Sequence, residues 1–167
     1  MRFVVTGGAG FVGSHLVKLL LKNDHDVIVI DNLHTGKKEN LGSVIDKIEF
    51  QELDIRNHES IKNILKNIDG VFHQAALTVV QDSFSNPKEY HDVNVQGTEN
   101  IFKLSIENKF KVVYASSSSV YGHKQKIPIE ESVERNPINP YGQTKLECEH
   151  LFEKYSKLDG SIIGLRY

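Results

Sequence analysis

The chain of 167 residues lacks the features that mark membrane, secreted or fibrous proteins. Its one cysteine, Cys148, cannot form an internal disulfide, so we expect a reducing compartment such as the cytoplasm and a packing role for this thiol. No apolar run reaches the roughly 18 residues needed to cross a bilayer, and the N-terminus enters a strand pattern without a signal peptide. A single soluble domain is therefore expected.

A strong excess of one charge is also missing. The 20 Lys and Arg residues face 22 Asp and Glu residues, which leaves a formal net charge of −2 and no basic cluster. This balance argues against nucleic acid as a partner. The eight histidines are scattered without a pair at metal-ligand spacing, so we expect no metal site.

Short runs of β-branched residues alternate along the chain with helical patterns. Such runs are typical of strands buried on both faces of a parallel sheet, and they are predicted at 3–6, 27–30, 48–51, 71–73, 112–115 and 162–165. Helices are predicted at 12–23, 58–66 and 87–108, and from about Pro140 onward. The irregular stretch 117–139 is long enough to suggest a functional loop. The alternation predicts an α/β fold with helices on both faces of the sheet.

A glycine-rich turn joins the first predicted strand to the first predicted helix. It contains Gly7, Gly8, Gly10 and Gly13, and it fits the pattern GxGxxG from Gly8. Glycine suits this turn because the backbone must approach a pyrophosphate, while the helix N-terminus offers free N–H groups to it. A glycine-rich turn without a ligand is the alternative. The place of the motif directly after a strand favours a dinucleotide and a doubly wound Rossmann sheet in strand order 3-2-1-4-5-6.

An acidic residue ends the second predicted strand, 18 residues after Gly13. Asp31 can hydrogen-bond the ribose hydroxyls of a dinucleotide and repel a 2′-phosphate, so NAD is favoured over NADP. Lys37 and Lys38 follow closely and keep the phosphate alternative open, and Asp31 could also be a simple turn residue. Asp54 after the third strand has the same two interpretations, an adenine contact or a turn acid.

Small residues follow the fourth predicted strand, in His73-Gln74-Ala75-Ala76. They would let a cofactor pass close to the carboxyl end of the sheet, where such sheets bind ligands. His73 by itself is expected to be a buried, hydrogen-bonded histidine rather than a catalyst.

Tyr141 and Lys145 lie four residues apart in the last predicted helix and so share one helix face. A nearby cation lowers the pKa of a tyrosine toward the value that a general base needs. A serine after the fifth strand could align a substrate hydroxyl. The spacing alone proves little, but Tyr141 lies 24 residues after Ser117 in a chain that opens with a dinucleotide loop.

These pieces together resemble the amino-terminal half of the extended short-chain dehydrogenase/reductase family, the NAD-dependent epimerase/dehydratase group. The matching segments appear in family order at 6–13, 31–32, 54–56, 73–76, 94–98, 116–117, 120–122 and 141–145. The resemblance implies that Tyr141 is the catalytic base, that Ser117 is its partner and that Lys145 also bonds the nicotinamide ribose. It implies NAD as cofactor, bound by Gly7, Gly10, Phe11, Val12, Gly13, Asp31, Asn32, Asp54, Ile55, Gln74, Ala75, Ala76, Thr78, Asn94, Tyr141 and Lys145.

Within this group the sequence is most similar to enzymes that epimerise UDP-glucose or UDP-N-acetylhexosamines at carbon 4. Ser118 and Ser119 stand where 4,6-dehydratases carry an Asp-Glu pair and where UDP-glucuronate decarboxylases carry a glutamate. Thr78 departs from many 4-epimerases, which have a lysine there. The implied reaction passes through a transient 4-keto sugar. The alternatives are another NAD-dependent nucleotide-sugar oxidoreductase or dehydratase, and a non-catalytic NAD-binding module.

The resemblance also bears on the organisation of the chain. It implies one NAD-binding Rossmann domain at 1–167 that carries the Ser/Tyr/Lys set, without the family's carboxyl-terminal substrate lobe, so we expect little activity from this chain alone. It further implies a UDP-sugar substrate and a homodimer through the helices around 86–108 and 141–158.

Overall fold

The predicted strands form one parallel sheet in the order β3-β2-β1-β4-β5-β6, as expected. The structure is a computed structural model that describes residues 1–123, 127–158 and 160–167. Each strand begins and ends within one residue of its predicted bounds. The strands are β1 (Arg2–Thr6), β2 (Asp26–Asp31), β3 (Glu49–Glu52), β4 (Gly70–His73), β5 (Lys111–Ser116) and β6 (Ile162–Arg166).

The helices connect these strands and match the predictions less closely. They are α1 (Phe11–Lys22), α2 (His58–Lys62), α3 (Val80–Ser85), α4 (Pro87–His91), α5 (Gly97–Asn108) and α6 (Pro140–Ser156). Helix α2 ends four residues before its predicted end, and α3 was not predicted. A single π-helical turn, Asp92–Gln96, joins α4 to α5. The predicted loop 117–139 contains a 3₁₀ turn at Ser118–Tyr121, and its residues 124–126 lie outside the described residues.

The core lies on both faces of the sheet because its central strands are apolar on both sides. On β1 the consecutive residues Val4 and Val5 are both fully buried, and each belongs to a different hydrophobic cluster. Val4 packs in the cluster that includes Phe102 of α5 and Tyr155 of α6. Val5 packs in the cluster that includes Val17 of α1. This burial explains why the strands are continuous apolar runs rather than alternating ones.

The strand order reverses at β1, which pairs with β2 on one side and β4 on the other. A crevice forms at such a switch point because the connections from neighbouring strands leave in opposite directions. The turns that follow β1, β2, β4 and β5 all meet at this carboxyl edge. In the part of the chain that the structure describes, no helix is both long and apolar enough to span a bilayer.

Candidate cofactor and active site

A cleft of about 300 Å³ opens at the carboxyl edge of the sheet. It brings together Ser117 and all the predicted cofactor residues except Asn94. Leu77, within the predicted segment 74–78, also lines the cleft, as do residues that were not predicted, among them Thr35, Gly36, Arg56, Glu89, Val93 and Tyr167. The unpredicted residues belong to the turns after β2 and β3, to helix α4 and the π-helical turn that follows it, and to the chain end after β6. Sequence reasoning missed them because their place depends on how the turns fold over the edge.

The glycine turn packs directly under the first turn of α1. A Cβ atom on Gly13 would lie 2.2 Å from the carbonyl oxygen of Gly7, which itself has φ of +67°. Helix α1 can therefore approach the turn only because both residues are glycine. Gly10 is the N-cap and has no side chain to satisfy the first N–H groups of α1, which remain available to a phosphate. The exposed Phe11 and Val12 flank this position. The cradle fits the pyrophosphate of a dinucleotide.

Asp31 is fixed at the edge of the cleft with only 7% of its surface exposed. One carboxylate oxygen accepts a hydrogen bond from the backbone of Ala9 at 3.0 Å, and the other accepts from Leu33 at 2.8 Å. Each oxygen keeps a further lone pair for a ribose hydroxyl. Lys38, which kept the NADP alternative open, instead forms an ion pair with Glu52 at 3.0 Å. The arrangement fits NAD better than NADP.

Asp54 stands further along the cleft and is paired rather than free. Its carboxylate accepts hydrogen bonds from the Arg56 guanidinium and from Asn32 Nδ2 at 3.1 Å. The hydrogen bond from Arg56 is the main reason why the pKa of Asp54 is below its usual value. The pair places an arginine in the cleft but neutralises its charge, so it does not create a second phosphate site.

Asn94 lies behind the cleft and acts through the backbone of Leu77. It is almost fully buried in the π-helical turn, and its Oδ1 accepts from Leu77 N at 2.8 Å while its Nδ2 donates to Leu77 O at 3.0 Å. The same Nδ2 also donates to Thr144 Oγ1 of α6 at 3.1 Å. Asn94 therefore holds the segment after β4 in place, rather than lining the cleft as the resemblance implied.

Tyr141 and Lys145 reach the cleft from the first two turns of α6. Asn139 caps this helix by accepting from Gly142 N at 2.7 Å, and Ser83 Oγ accepts from Tyr141 N at 3.1 Å. The Lys145 ammonium donates to the carbonyl of Ala115 at 2.9 Å and lies 5.9 Å from the centre of the Tyr141 ring. Ser117 belongs to the turn after β5. All three predicted catalytic residues are thus brought together at one end of the cleft.

The pKa of Tyr141 differs from what the sequence suggested. Burial raises it above its usual value, and interaction with the Ser117 hydroxyl offsets only part of that rise. Burial also lowers the pKa of Lys145. The predicted lowering by Lys145 is not seen, and its ammonium donates to the carbonyl of Ala115 rather than to the Tyr141 hydroxyl. In the chain alone, Tyr141 is a neutral phenol at pH 7.

His73 is buried beneath the site and is not part of it. Its two ring nitrogens pair with Thr6 Oγ1 at 2.7 Å and Thr98 Oγ1 at 2.9 Å. Burial lowers the pKa of His73 to about 3, so the ring is neutral. This agrees with the structural role predicted for it.

Ser83 is a site residue that the sequence did not reveal. It is fully buried in the six-residue helix α3, and its hydroxyl holds the first turn of α6. A helix this short leaves too little periodicity to be recognised. In the described ranges, no group of three or more His, Cys, Asp and Glu residues is arranged to hold a metal ion.

The fold and the site define a dinucleotide-binding protein of the Rossmann type with a Tyr-x-x-x-Lys helix at its cleft. The family profile described as "NAD dependent epimerase/dehydratase family" matches residues 3–167. The chain therefore belongs to the NAD dependent epimerase/dehydratase family, as the sequence motifs indicated.

Three relatives show what this chain resembles. A UDP-glucose 4-epimerase from Lactobacillus helveticus is 39% identical over 171 residues, covering 100% of this chain and 51% of the relative. The crystal structure of a UDP-glucose 4-epimerase with UDP-glucose from Thermotoga maritima has a TM-score of 0.94 and 35% identity, covering 100% of this chain and 55% of that one. A dTDP-glucose 4,6-dehydratase from Streptomyces venezuelae, crystallised with NAD, has a TM-score of 0.95 and 30% identity, covering 99% and 55%.

The chain spans about half the length of the relatives it matches. Epimerase and dehydratase structures superpose on it equally well. The backbone therefore identifies the family, and only individual side chains can distinguish the reactions within it.

Proposed function

We propose that residues 1–167 form the NAD-binding and catalytic domain of a nucleotide-sugar 4-epimerase acting on UDP-glucose or a UDP-N-acetylhexosamine. The observation that carries the proposal is the meeting of Ser117, Tyr141 and Lys145 at one end of a cleft whose other end is the glycine cradle and Asp31. This arrangement supports Tyr141 as a base beside a bound dinucleotide.

Each of the three side chains has a distinct role in this proposal. NAD, when bound, supplies an acceptor that takes hydride from carbon 4 and later returns it. The Tyr141 phenolate oxygen takes the proton of the sugar 4-hydroxyl. It gives the proton back after the 4-keto sugar has rotated to present its opposite face. For Tyr141 to act as the base its phenol must first ionise; the positive charge of Lys145 stabilises the phenolate once it has formed, and the Ser117 hydroxyl donates to the same sugar oxygen.

The serines after Ser117 favour epimerisation over dehydration. Loss of water from the sugar needs an acid and a base beside the 4-keto group, and the hydroxyls of Ser118 and Ser119 do not ionise near neutral pH. The backbone N–H of Ser119 is already bonded to Ser117 Oγ at 3.1 Å, and that of Ser118 to the carbonyl of Tyr167 at 2.7 Å. These residues support the turn and add no proton-transfer group.

The proposal is tested by replacing Tyr141 with Phe in a form of the enzyme that spans the length of its relatives. Turnover of UDP-glucose and of UDP-N-acetylglucosamine should fall by at least about 100-fold because the base is lost, while NAD remains bound. Tyr155→Phe is the matched control, since its hydroxyl donates to Glu99 at 2.9 Å, outside the cleft. Near-normal turnover in Tyr141→Phe would refute the assignment.

The rival functions give different results in the same assay. Release of NADH in step with product would indicate a net oxidoreductase. Tight NAD binding without any reaction on either sugar would favour a non-catalytic module. The ratio of the turnover rates on UDP-glucose and UDP-N-acetylglucosamine identifies the preferred sugar.

We also propose a homodimer through the helices around 86–108 and 141–158, on the family resemblance. Light scattering should give twice the monomer mass. A monomer at micromolar concentration would contradict it.

A further inference from the structure

Helix α6 carries a buried carboxylate that the proposed reaction does not use. Glu149 lies four residues after Lys145 and eight after Tyr141, on the same face of the helix, and only 4% of it is exposed. Burial raises the pKa of this carboxyl, but hydrogen bonds from Arg166, Ser116 and Arg135 outweigh the burial and hold it below its usual value. Glu149 is therefore an ionised group inside the protein.

Three residues from three different segments meet at this carboxylate. Ser116 Oγ, at the end of β5, donates to Oε1 at 2.6 Å. Arg166, at the end of β6, donates from Nε to Oε1 at 2.7 Å and from Nη2 to Oε2 at 2.8 Å. Arg135, from the segment before α6, donates to Oε2 at 2.9 Å. A buried ion pair of this kind contributes little net stability, so its main consequence is to fix geometry.

The turn that carries Ser117 is anchored to this cluster at both ends. It begins directly after Ser116, whose hydroxyl is bonded to Glu149. It ends at Tyr121, whose hydroxyl accepts from Arg166 Nη1 at 2.6 Å. Between them, the backbone N–H of Ser118 donates to the carbonyl of Tyr167, the residue after Arg166. The helix that bears Tyr141 and the turn that bears Ser117 are thus joined through one carboxylate.

We propose that Glu149 is a positioning residue: by binding Ser116 at the start of the turn, and Arg166, which holds Tyr121 at its end, it sets the position of the Ser117 hydroxyl relative to Tyr141 on α6. The catalytic meaning of this contact rests on the proposed function. The link between Glu149 and the relative position of Ser117 and Tyr141 does not depend on that function.

The link is tested by NMR on the chain labelled with ¹³C-tyrosine. The Cζ signal of Tyr141 reports on the surroundings of its hydroxyl, and it is assigned by its absence in Tyr141→Phe. Ser117→Ala should displace this signal. Glu149→Gln should displace it by a similar amount in the same direction, and the double variant should show no further displacement because both changes remove the same contact.

The matched control is Glu153→Gln, which removes the charge of a second carboxylate bonded to the same Arg135, at 2.9 Å, but from a half-exposed position. It should leave the Tyr141 signal unchanged. The Cζ signal of Tyr155, on the same helix, should not move in any of these variants, which separates a positioning role from general loosening of α6.

Two results would overturn the proposal. One is an unchanged Tyr141 signal in folded Glu149→Gln, and the other is a displacement that adds fully to that of Ser117→Ala. If Glu149→Gln does not fold, Ser116→Ala removes one bond of the cluster and must displace the same signal. The measurement needs no substrate, so absence of epimerase activity would count against the proposed function and not against this link.

Discussion

At the scale of single residues, position 13 requires glycine because there is no space for a Cβ atom, and not only because glycine is flexible. Its position was predicted from the motif, and the structure supplies the reason, since a side chain there would meet the carbonyl of Gly7 at 2.2 Å. The role of Asp31 was likewise predicted from its place at a strand end. Ser83 and Glu149 could not be predicted, because they act through partners 58, 33 and 17 residues distant in the sequence.

Gly13→Ala should therefore destabilise the chain by about 1–3 kcal/mol, because the backbone of the turn must move away from α1. It should also weaken NAD binding by displacing the N–H groups of the cradle. Gly10→Ala is the control, since its Cβ meets only Gly7 O at 3.2 Å. Urea unfolding compares the two. Equal free energies of unfolding for both variants would contradict this account of the turn.

His73 makes stability depend on pH. Its pKa is about 3 when buried and about 6.5 when exposed in the unfolded chain, so below pH 6.5 the unfolded state binds the extra proton. Stability should fall as the pH drops from 6.5 toward 3, and this residue accounts for about 2 kcal/mol between pH 7 and pH 5.

The measurement is urea unfolding at both pH values. His73→Gln should lose stability at pH 7 but show a smaller drop on acidification than the parent chain, whereas the control His150→Gln, at an exposed position, should keep the full drop. An identical drop in His73→Gln would show that this histidine does not carry the effect.

At the scale of elements, the connection from α4 to α5 shows where periodicity is insufficient. The apolar pattern predicted one helix at 87–108, and the chain is helical throughout, but the π-helical turn at Asp92–Gln96 rotates Asn94 toward Leu77. One extra residue in a turn hardly changes the apolar spacing, so no pattern reveals it. Helix α3 was not predicted because six residues are too few to show a helical period. The strands were predicted well because buried parallel strands are continuous apolar runs.

Gly97, the residue after this turn, should affect the shape of the cleft because it packs against Ile55. A Cβ on Gly97 would lie 2.5 Å from Ile55 Cδ1, and Ile55 lines the cleft. Gly97→Ala should therefore leave the fold intact but push Ile55 outward and weaken NAD binding. Adding Ile55→Val, which removes Cδ1 but keeps Cγ1 at 2.8 Å, should restore part of the affinity.

Calorimetric titration with NAD measures all three variants. Ile55→Val alone should bind NAD nearly as the parent chain does. Failure of the double variant to recover affinity, with the fold intact, would refute the coupling between Gly97 and Ile55.

At the scale of the whole molecule, the sheet order and the place of the cleft followed from the alternation of strands and helices. Parallel strands bring the turns after β1, β2, β4 and β5 to one edge, so residues far apart in sequence form one site. The chemistry within the family did not follow from the fold, because an epimerase and a dehydratase both superpose on the chain. In the proposed function, Ser118 and Ser119 carry that distinction.

The cleft is expected to bind NAD, with Asp31 at its ribose end and Tyr141 at its catalytic end. Isothermal titration of the chain with NAD and with NADP tests it most directly, with Asp31→Ala as the matched variant. One NAD should bind per chain, NADP should bind much more weakly, and Asp31→Ala should lose this preference. No binding of NAD at millimolar concentration, or equal binding of NAD and NADP by the parent chain, would contradict it.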